Sequence, residues 1–253
     1  MQKYFISNDD FNKKVITGDD VFHIKNVMRG RVGDNILVSN GNSTFLVEIK
    51  SISSNEVAYE LKEEQIGNHE LPVFVSIFQG YPKGDKIEDI IKHGTELGAH
   101  EFIPTMMKRS IVKLDDKKKI SKVERFNKIA KEASEQSYRD IVPKVLNVKN
   151  LKEIDFSDFD LKIVCFEEIA KNGELTNFKN AISKLKGKEK IAIVIGPEGG
   201  IDDSEIKYLL DKGFIVCGLG PRILRTESVV FYCLSAISYE LELKKWKKLD
   251  LLH

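Results

Sequence analysis

The chain has 253 residues, of which 42% are hydrophobic and 31% charged, and its formal net charge at pH 7 is +1. That supplies a sizeable core for one large domain or two modest ones, and so balanced a charge is no argument by itself for a nucleic-acid partner. No window holds 18 consecutive apolar residues and Met1-Gln-Lys-Tyr-Phe5 lacks a signal-peptide plan, so a cytoplasmic chain with no membrane partner is expected.

The segment before Leu71-Pro72 reads as short strands. Asp20 to Arg29 suggests a short helix capped by Asp19 or Asp20. Asn35–Ser39, the turn Asn40-Gly41 and Thr44–Ile49 read as a hairpin, and Asn55–Leu61 alternates as a third strand. Such a segment suggests a small β-barrel over 1–71, marginal alone. Residues 1–70 carry 8 Lys and Arg against 11 Asp and Glu, yet His23, Lys25, Arg29 and Arg31 cluster locally.

Past Pro72 strands and helices alternate to the end of the chain, so 72–253 reads as an α/β domain with a parallel sheet covered on both faces. The strand runs are Val73–Phe78, Glu101–Pro104, Leu161–Phe166, Ile191–Ile195 and Phe214–Cys217. The helices between and after them are Lys86–Leu97, Ile120–Ser137, Leu175–Leu185, Asp202–Leu210 and Thr226–Trp246. Asp202 with Glu205 fits a capping box. Residues 83–144 hold 15 Lys and Arg against 11 Asp and Glu. Within them Lys117–Lys119 reads as a solvated face, while Arg109 and Arg139, beside small or polar neighbours, are candidate phosphate contacts. The cysteines Cys165, Cys217 and Cys233 lie in apolar runs and read as buried hydrophobes. No C-x-x-C and no i, i+4 histidine pair occurs, so no metal is expected.

Two glycine-rich loops follow the last two strand runs. One is Gly196-Pro197-Glu198-Gly199-Gly200, the other Gly218-Leu219-Gly220-Pro221-Arg222-Ile223-Leu224-Arg225-Thr226. Loops at the carboxyl ends of neighbouring parallel strands converge on one crevice, and glycine lets main chain approach a ligand closely. No G-x-x-x-x-G-K-[ST] phosphate loop is present, and Ile223 stands where a dinucleotide fingerprint needs its third glycine. Pro197 and Pro221 stiffen the loops and each removes a donor, which suits a neutral base or ribose edge better than a pyrophosphate.

G-P-E-G-G followed by L-G-P-R-I-L-R-T-E-S resembles the signature of the bacterial ribosomal RNA uridine-N3 methyltransferases, of the knotted SPOUT class. The likeness continues through Lys83-Gly84-Asp85-Lys86, Thr95-Glu96-Leu97-Gly98-Ala99, Lys108-Arg109-Ser110-Ile111-Val112, and the helix from Lys128-Ile129-Ala130 to Glu135-Gln136-Ser137. It is similar at the N-terminus too, in His23-Ile24, Val27-Met28-Arg29 and Val32-Gly33-Asp34. Met28 replaces the usual Leu and Ser228 the usual Thr. The resemblance implies a trefoil-knotted methyltransferase domain behind a small PUA-like barrel, S-adenosylmethionine as donor, small-subunit ribosomal RNA as partner and a homodimer.

On that reading the donor pocket takes residues 196–200 and 218–226, with Phe166 and Glu167 as a further wall. Methyl transfer needs donor and acceptor held in line, and uridine N3 must shed a proton. Arg225 would stabilise charge on the uracil carbonyls, while Glu227 or Glu198 would accept the proton or orient the arginine. Each of these has an ion pair that shapes the loops as its plainer reading. His23, Lys25, Arg29 and Arg31, with Arg109 and Arg139, are the expected RNA contacts. On the helix from Thr226, the positions Val229, Val230, Cys233, Leu234 and Ile237 serve either core or dimer. Another RNA base or a ribose hydroxyl as acceptor, and an RNA-binding assembly factor with a vestigial pocket, remain open.

Overall fold

A computed structural model describes residues 1–112 and 114–244, and in it the chain divides into two units. Met1–Glu70 with Lys131–Val142 form the first, and Leu71–Ala130 with the chain from Pro143 onward form the second. The division at Leu71-Pro72 read from sequence does not include the 131–142 segment in the first unit. Its inclusion has a physical cause in buried charge. The Arg139 guanidinium grips the Glu70 carboxylate, Glu70 also takes the Asp140 amide, and Lys3 Nζ donates to the Arg139 carbonyl at 2.6 Å.

The first unit is a five-stranded sheet of β1 (Lys3–Phe5), β2 (Val15–Thr17), β3 (Asn35–Ser39), β4 (Thr44–Ile52) and β5 (Glu56–Gln65), in the order β1-β3-β4-β5-β2. The hairpin pairs Ser39 with Thr44, and Asn40 Oδ1 closes its turn by accepting the Asn42 and Ser43 amides. Alternate residues Val47, Ile49, Val57 and Tyr59 turn inward onto Tyr4, Ile16 and Ile24. The short helix α1 (Asn8–Lys13) is capped by Ser7. The helix expected over Asp20–Arg29 is shorter and changes pitch: α2 covers Asp19–Phe22 and a π-turn covers His23–Val27.

The second unit holds a seven-stranded, wholly parallel sheet. Its strands are β6 (Phe74–Gly80), β7 (Glu101–Met106), β8 (Lys144–Val145), β9 (Lys149–Asn150), β10 (Leu161–Cys165), β11 (Lys190–Ile195) and β12 (Ile215–Cys217). Their order is β12-β10-β11-β6-β7-β8, with β9 also on β7. The edge pairs β8 and β9 are too short to leave a period in the sequence. On β11 the run Ile191 to Ile195 is buried throughout, as a strand covered on both faces must be.

The helices are α3 (Lys86–Glu96), α4 (Asp116–Gln136), α5 (Glu167–Lys171), α6 (Asn177–Ile182), α7 (Asp203–Asp211) and α8 (Thr226–Ser238). Helix α5 was not expected, α6 is shorter than the 175–185 pattern, and α8 passes into a π-turn over Tyr239–Leu243. Trp246, and Lys113 of the basic stretch, lie outside the described residues. The capping box at α7 is present, with Asp202 accepting from the Ser204 amide and Glu205 from the Asp202 amide. Val230, Cys233, Leu234 and Ile237 on α8 are core residues of this unit, so that stripe is no sign of a second copy.

Candidate active site

Strand register brings three chain exits together. Cys165 stands beside Ile195 on one side and Cys217 on the other, so residues 166, 196 and 218 leave the sheet at one level. Around these exits lies a cavity of about 630 Å³, within the usual size of a small-molecule site. Phe166, Glu167, residues 196–200, Leu219, Gly220 and residues 222–226 all line it. The three exits are far apart in sequence, and the parallel pairing alone makes them one place.

Three carbonyls of the first loop are held by donors. The Gly200 amide donates to the Pro197 carbonyl at 2.9 Å, Thr226 Oγ1 donates to the Gly196 carbonyl at 2.7 Å, and Arg109 Nη1 donates to the Gly199 carbonyl at 3.2 Å. Its glycines serve packing: a Cβ on Gly196 would lie 2.7 Å from Ile201 Cγ1, and one on Gly199 would lie 3.1 Å from Arg109 Cβ.

The second loop has no such bonds. Leu219 through Leu224 form no hydrogen bond with any described residue. Unpaired main-chain groups facing a cavity are what a ligand edge requires. Gly220 has φ +105 and open space where a side chain would start. Gly218, between the lining residues Cys217 and Leu219, packs instead against the 170–174 segment: a Cβ there would sit 2.4 Å from the Glu174 carbonyl. It lets the 170–174 segment pack, and its amide donates to Glu174 Oε2 at 3.0 Å.

The charged candidates separate clearly. Glu198 accepts from Lys86 Nζ at 2.8 Å and from the Lys83 amide at 3.2 Å. Partial burial pushes its carboxyl upward, but the Lys86 ammonium and backbone donors outweigh that and hold it below the ordinary range. A carboxylate so held is a poor proton acceptor. Glu227 does not line the cavity, and its Oε2 is buried without a partner among the described residues. Arg225 is exposed, lines the cavity and occupies the position before α8. Thr226 does not cap that helix, because Arg225 holds the capping position and Thr226 is already the first helical residue; its hydroxyl donates to Gly196.

The expected RNA contacts also divide. Lys25, Arg29 and Arg31 are exposed, and their side chains have no partner among the described residues. His23 is half-buried, with Nδ1 bonded to the Tyr4 hydroxyl at 2.9 Å, so its ring is committed to packing. Arg139 is 2% exposed and paired with Glu70, which withdraws it from any phosphate. Arg109 lines the cavity and supports the first loop. Sequence reasoning missed Lys86, a lining residue whose signal was its place in Lys83-Gly84-Asp85-Lys86, and Gln79, a polar residue in an apolar strand. Among the described residues there is no group of three or more His, Cys, Asp or Glu able to hold a metal ion. Nor is any helix among them long and apolar enough to cross a membrane.

Comparison with known proteins gives two family matches. Residues 69–238 match an RNA methyltransferase domain, and residues 16–61 match an RNA methyltransferase PUA domain. The Bacillus subtilis ribosomal RNA small subunit methyltransferase E is 47% identical, over 96% of this chain and 98% of its own length. A Legionella pneumophila protein described as a methyltransferase, solved with its cofactor SAM bound, is 25% identical with a TM-score of 0.79, over 88% of this chain and 90% of its own. A Neisseria gonorrhoeae ribosomal RNA small subunit methyltransferase E bound to S-adenosyl methionine shares the fold at a TM-score of 0.79 and 24% identity, over 94% of this chain and 97% of its own.

Proposed function

From the premise that this chain belongs to the RNA methyltransferase family, we propose that it methylates N3 of a uridine in small-subunit ribosomal RNA with S-adenosylmethionine as donor. The observation that carries this is the second loop, whose main chain from Leu219 to Leu224 has no partner among the described residues and lines a cavity that Arg225 also lines. The donor fits these residues: free backbone groups suit its neutral adenine and ribose edges, and Phe166, Leu219, Ile223 and Leu224 offer apolar contact. When bound it supplies a methyl group on a sulfonium, ready for in-line displacement.

The chain's own task is orientation and charge. As uracil N3 loses its proton, negative charge spreads onto the carbonyl oxygens, and the Arg225 guanidinium stabilises that charge more than the neutral base. Glu198 is held by Lys86 and Glu227 lies outside the lining, so neither is the N3 base on this reading. The proton leaves to solvent, and the reaction draws on ionised uracil. Lys25, Arg29 and Arg31, near the exposed apolar side chains of Phe22, Met28 and Val32 in the sequence, contact the RNA. The reading includes the trefoil path, supported by the five-strand order β12-β10-β11-β6-β7, and a homodimer, supported by exposed Tyr232, Tyr239 and Leu243.

Mass spectrometry of small-subunit ribosomal RNA tests it. A strain lacking this protein should lose one N3-methyluridine, and the purified chain with S-adenosylmethionine should restore it. Loss of a different methylated nucleotide would replace the uridine assignment, and an unchanged nucleoside profile would remove the enzymatic reading.

A further inference from the structure

Strand β6 carries buried Val75, Ile77 and Phe78, and then a glutamine that is 1% exposed, Gln79. Its Nε2 donates to the Gly80 carbonyl at 2.9 Å and to Thr226 Oγ1 at 2.8 Å. The Thr226 hydroxyl passes its single proton on to the Gly196 carbonyl at 2.7 Å. The sense of this relay is dictated by its ends. A flipped amide would set Oε1 against the Gly80 carbonyl, where two acceptors repel.

The arrangement carries a standing penalty. Gln79 Oε1 is buried with no partner among the described residues, which costs stability. A buried methionine would avoid that penalty. What the relay achieves is geometric: it ties the end of β6, the first glycine loop and the first residue of α8 together, immediately after Arg225.

We propose that Gln79 is a positioning residue for methyl transfer: acting through Thr226, it fixes the backbone from which Arg225 reaches the uracil. This rests on the reading of Arg225 as the charge-stabilising group. A group that only builds the pocket would change donor affinity, and one that only supports the fold would change stability. A positioning group changes turnover and loses its effect once Arg225 is gone.

The test uses the full chain with Gln79→Met, Thr226→Val, Arg225→Ala and the Gln79→Met/Arg225→Ala double variant. Turnover, KM for RNA, the calorimetric Kd for S-adenosylmethionine and the thermal midpoint are measured on each. Gln79→Met should lower kcat about tenfold or more, as small misplacements of reacting groups do, while Kd and the thermal midpoint hold. Thr226→Val should lower kcat in the same way, and the double variant should be no slower than Arg225→Ala alone. A Gln79→Met chain that fails to fold, loses donor affinity in proportion to rate, or slows the Arg225→Ala background further overturns the proposal. So does one that keeps full kcat while Arg225→Ala is slow. Full kcat in Arg225→Ala itself would instead remove the reading of Arg225 on which the proposal stands.

Discussion

Lys86 Nζ donates to Glu198 Oε1 at 2.8 Å, joining the first turn of α3 to the first glycine loop across 112 residues of chain. The pair is partly exposed, at 39% and 29% for the two side chains. Its contribution is therefore the small one of a solvent-screened ion pair. Because the folded carboxyl lies below its unfolded value, this contribution is present above the unfolded pKa and fades as pH falls through the folded one. Glu198→Gln should lower the thermal midpoint slightly at pH 7. The gap should close on acidification below the ordinary carboxylate range, and a pH series of melting curves checks it.

Arg225→Ala should cost about 3–4 kcal/mol of transition-state stabilisation, a hundredfold to thousandfold in kcat, with little change in donor affinity. Its residual rate should rise with pH, since more uracil is then already ionised. Single-turnover rates from neutral to alkaline pH give the answer, and a flat profile with lost donor binding would place Arg225 in the pocket wall.

Gly220→Val should weaken S-adenosylmethionine binding and cost roughly 1–3 kcal/mol in backbone strain, because φ +105 is a conformation that L side chains rarely adopt. Gly199→Val acts elsewhere: its Cβ meets Arg109 Cβ, so it should displace Arg109 from the Gly199 carbonyl. Titration calorimetry on both variants separates the two effects, with Gly220→Val losing more affinity.

Arg29→Ala with Arg31→Ala should weaken RNA binding and reduce the salt slope by about 1.4, at roughly 0.7 per phosphate contact on a single strand. Donor affinity should be unchanged. Fluorescence anisotropy over a salt series measures this, and an unaltered slope would leave the cluster as a solvated face.

Arg139→Met should leave the Glu70 carboxylate without its guanidinium and cost on the order of 3–5 kcal/mol in stability, the signature of a broken buried pair. RNA affinity of the folded fraction should not move. Chemical denaturation and anisotropy on the same preparation distinguish this from a phosphate contact.

Local rules reach far in this chain. Period-two alternation in 35–61, buried apolar runs at 161–166 and 191–195, the Asn40-Gly41 turn and the Asp202/Glu205 box are each contained within a few residues, so they are legible directly. Convergence of the two glycine loops was also legible, because parallel strands must place their carboxyl-end loops on one edge. The roles inside those loops were not. Gly196 and Gly220 look alike in sequence, yet one accommodates Ile201 and the other faces open space. Glu198 reads equally as a catalytic group or an ion pair, and Arg139 as a phosphate contact, until Lys86 and Glu70, 112 and 69 residues away, are seen to hold them. The stripe on α8 reads equally as core or interface, and burial alone settled it. A sequence records which groups are available and what short segments can do with them. Which partner each charge takes, and which main-chain groups are left for a ligand, is decided when distant segments compete for the same hydrogen bonds, and that competition exists only in the folded chain.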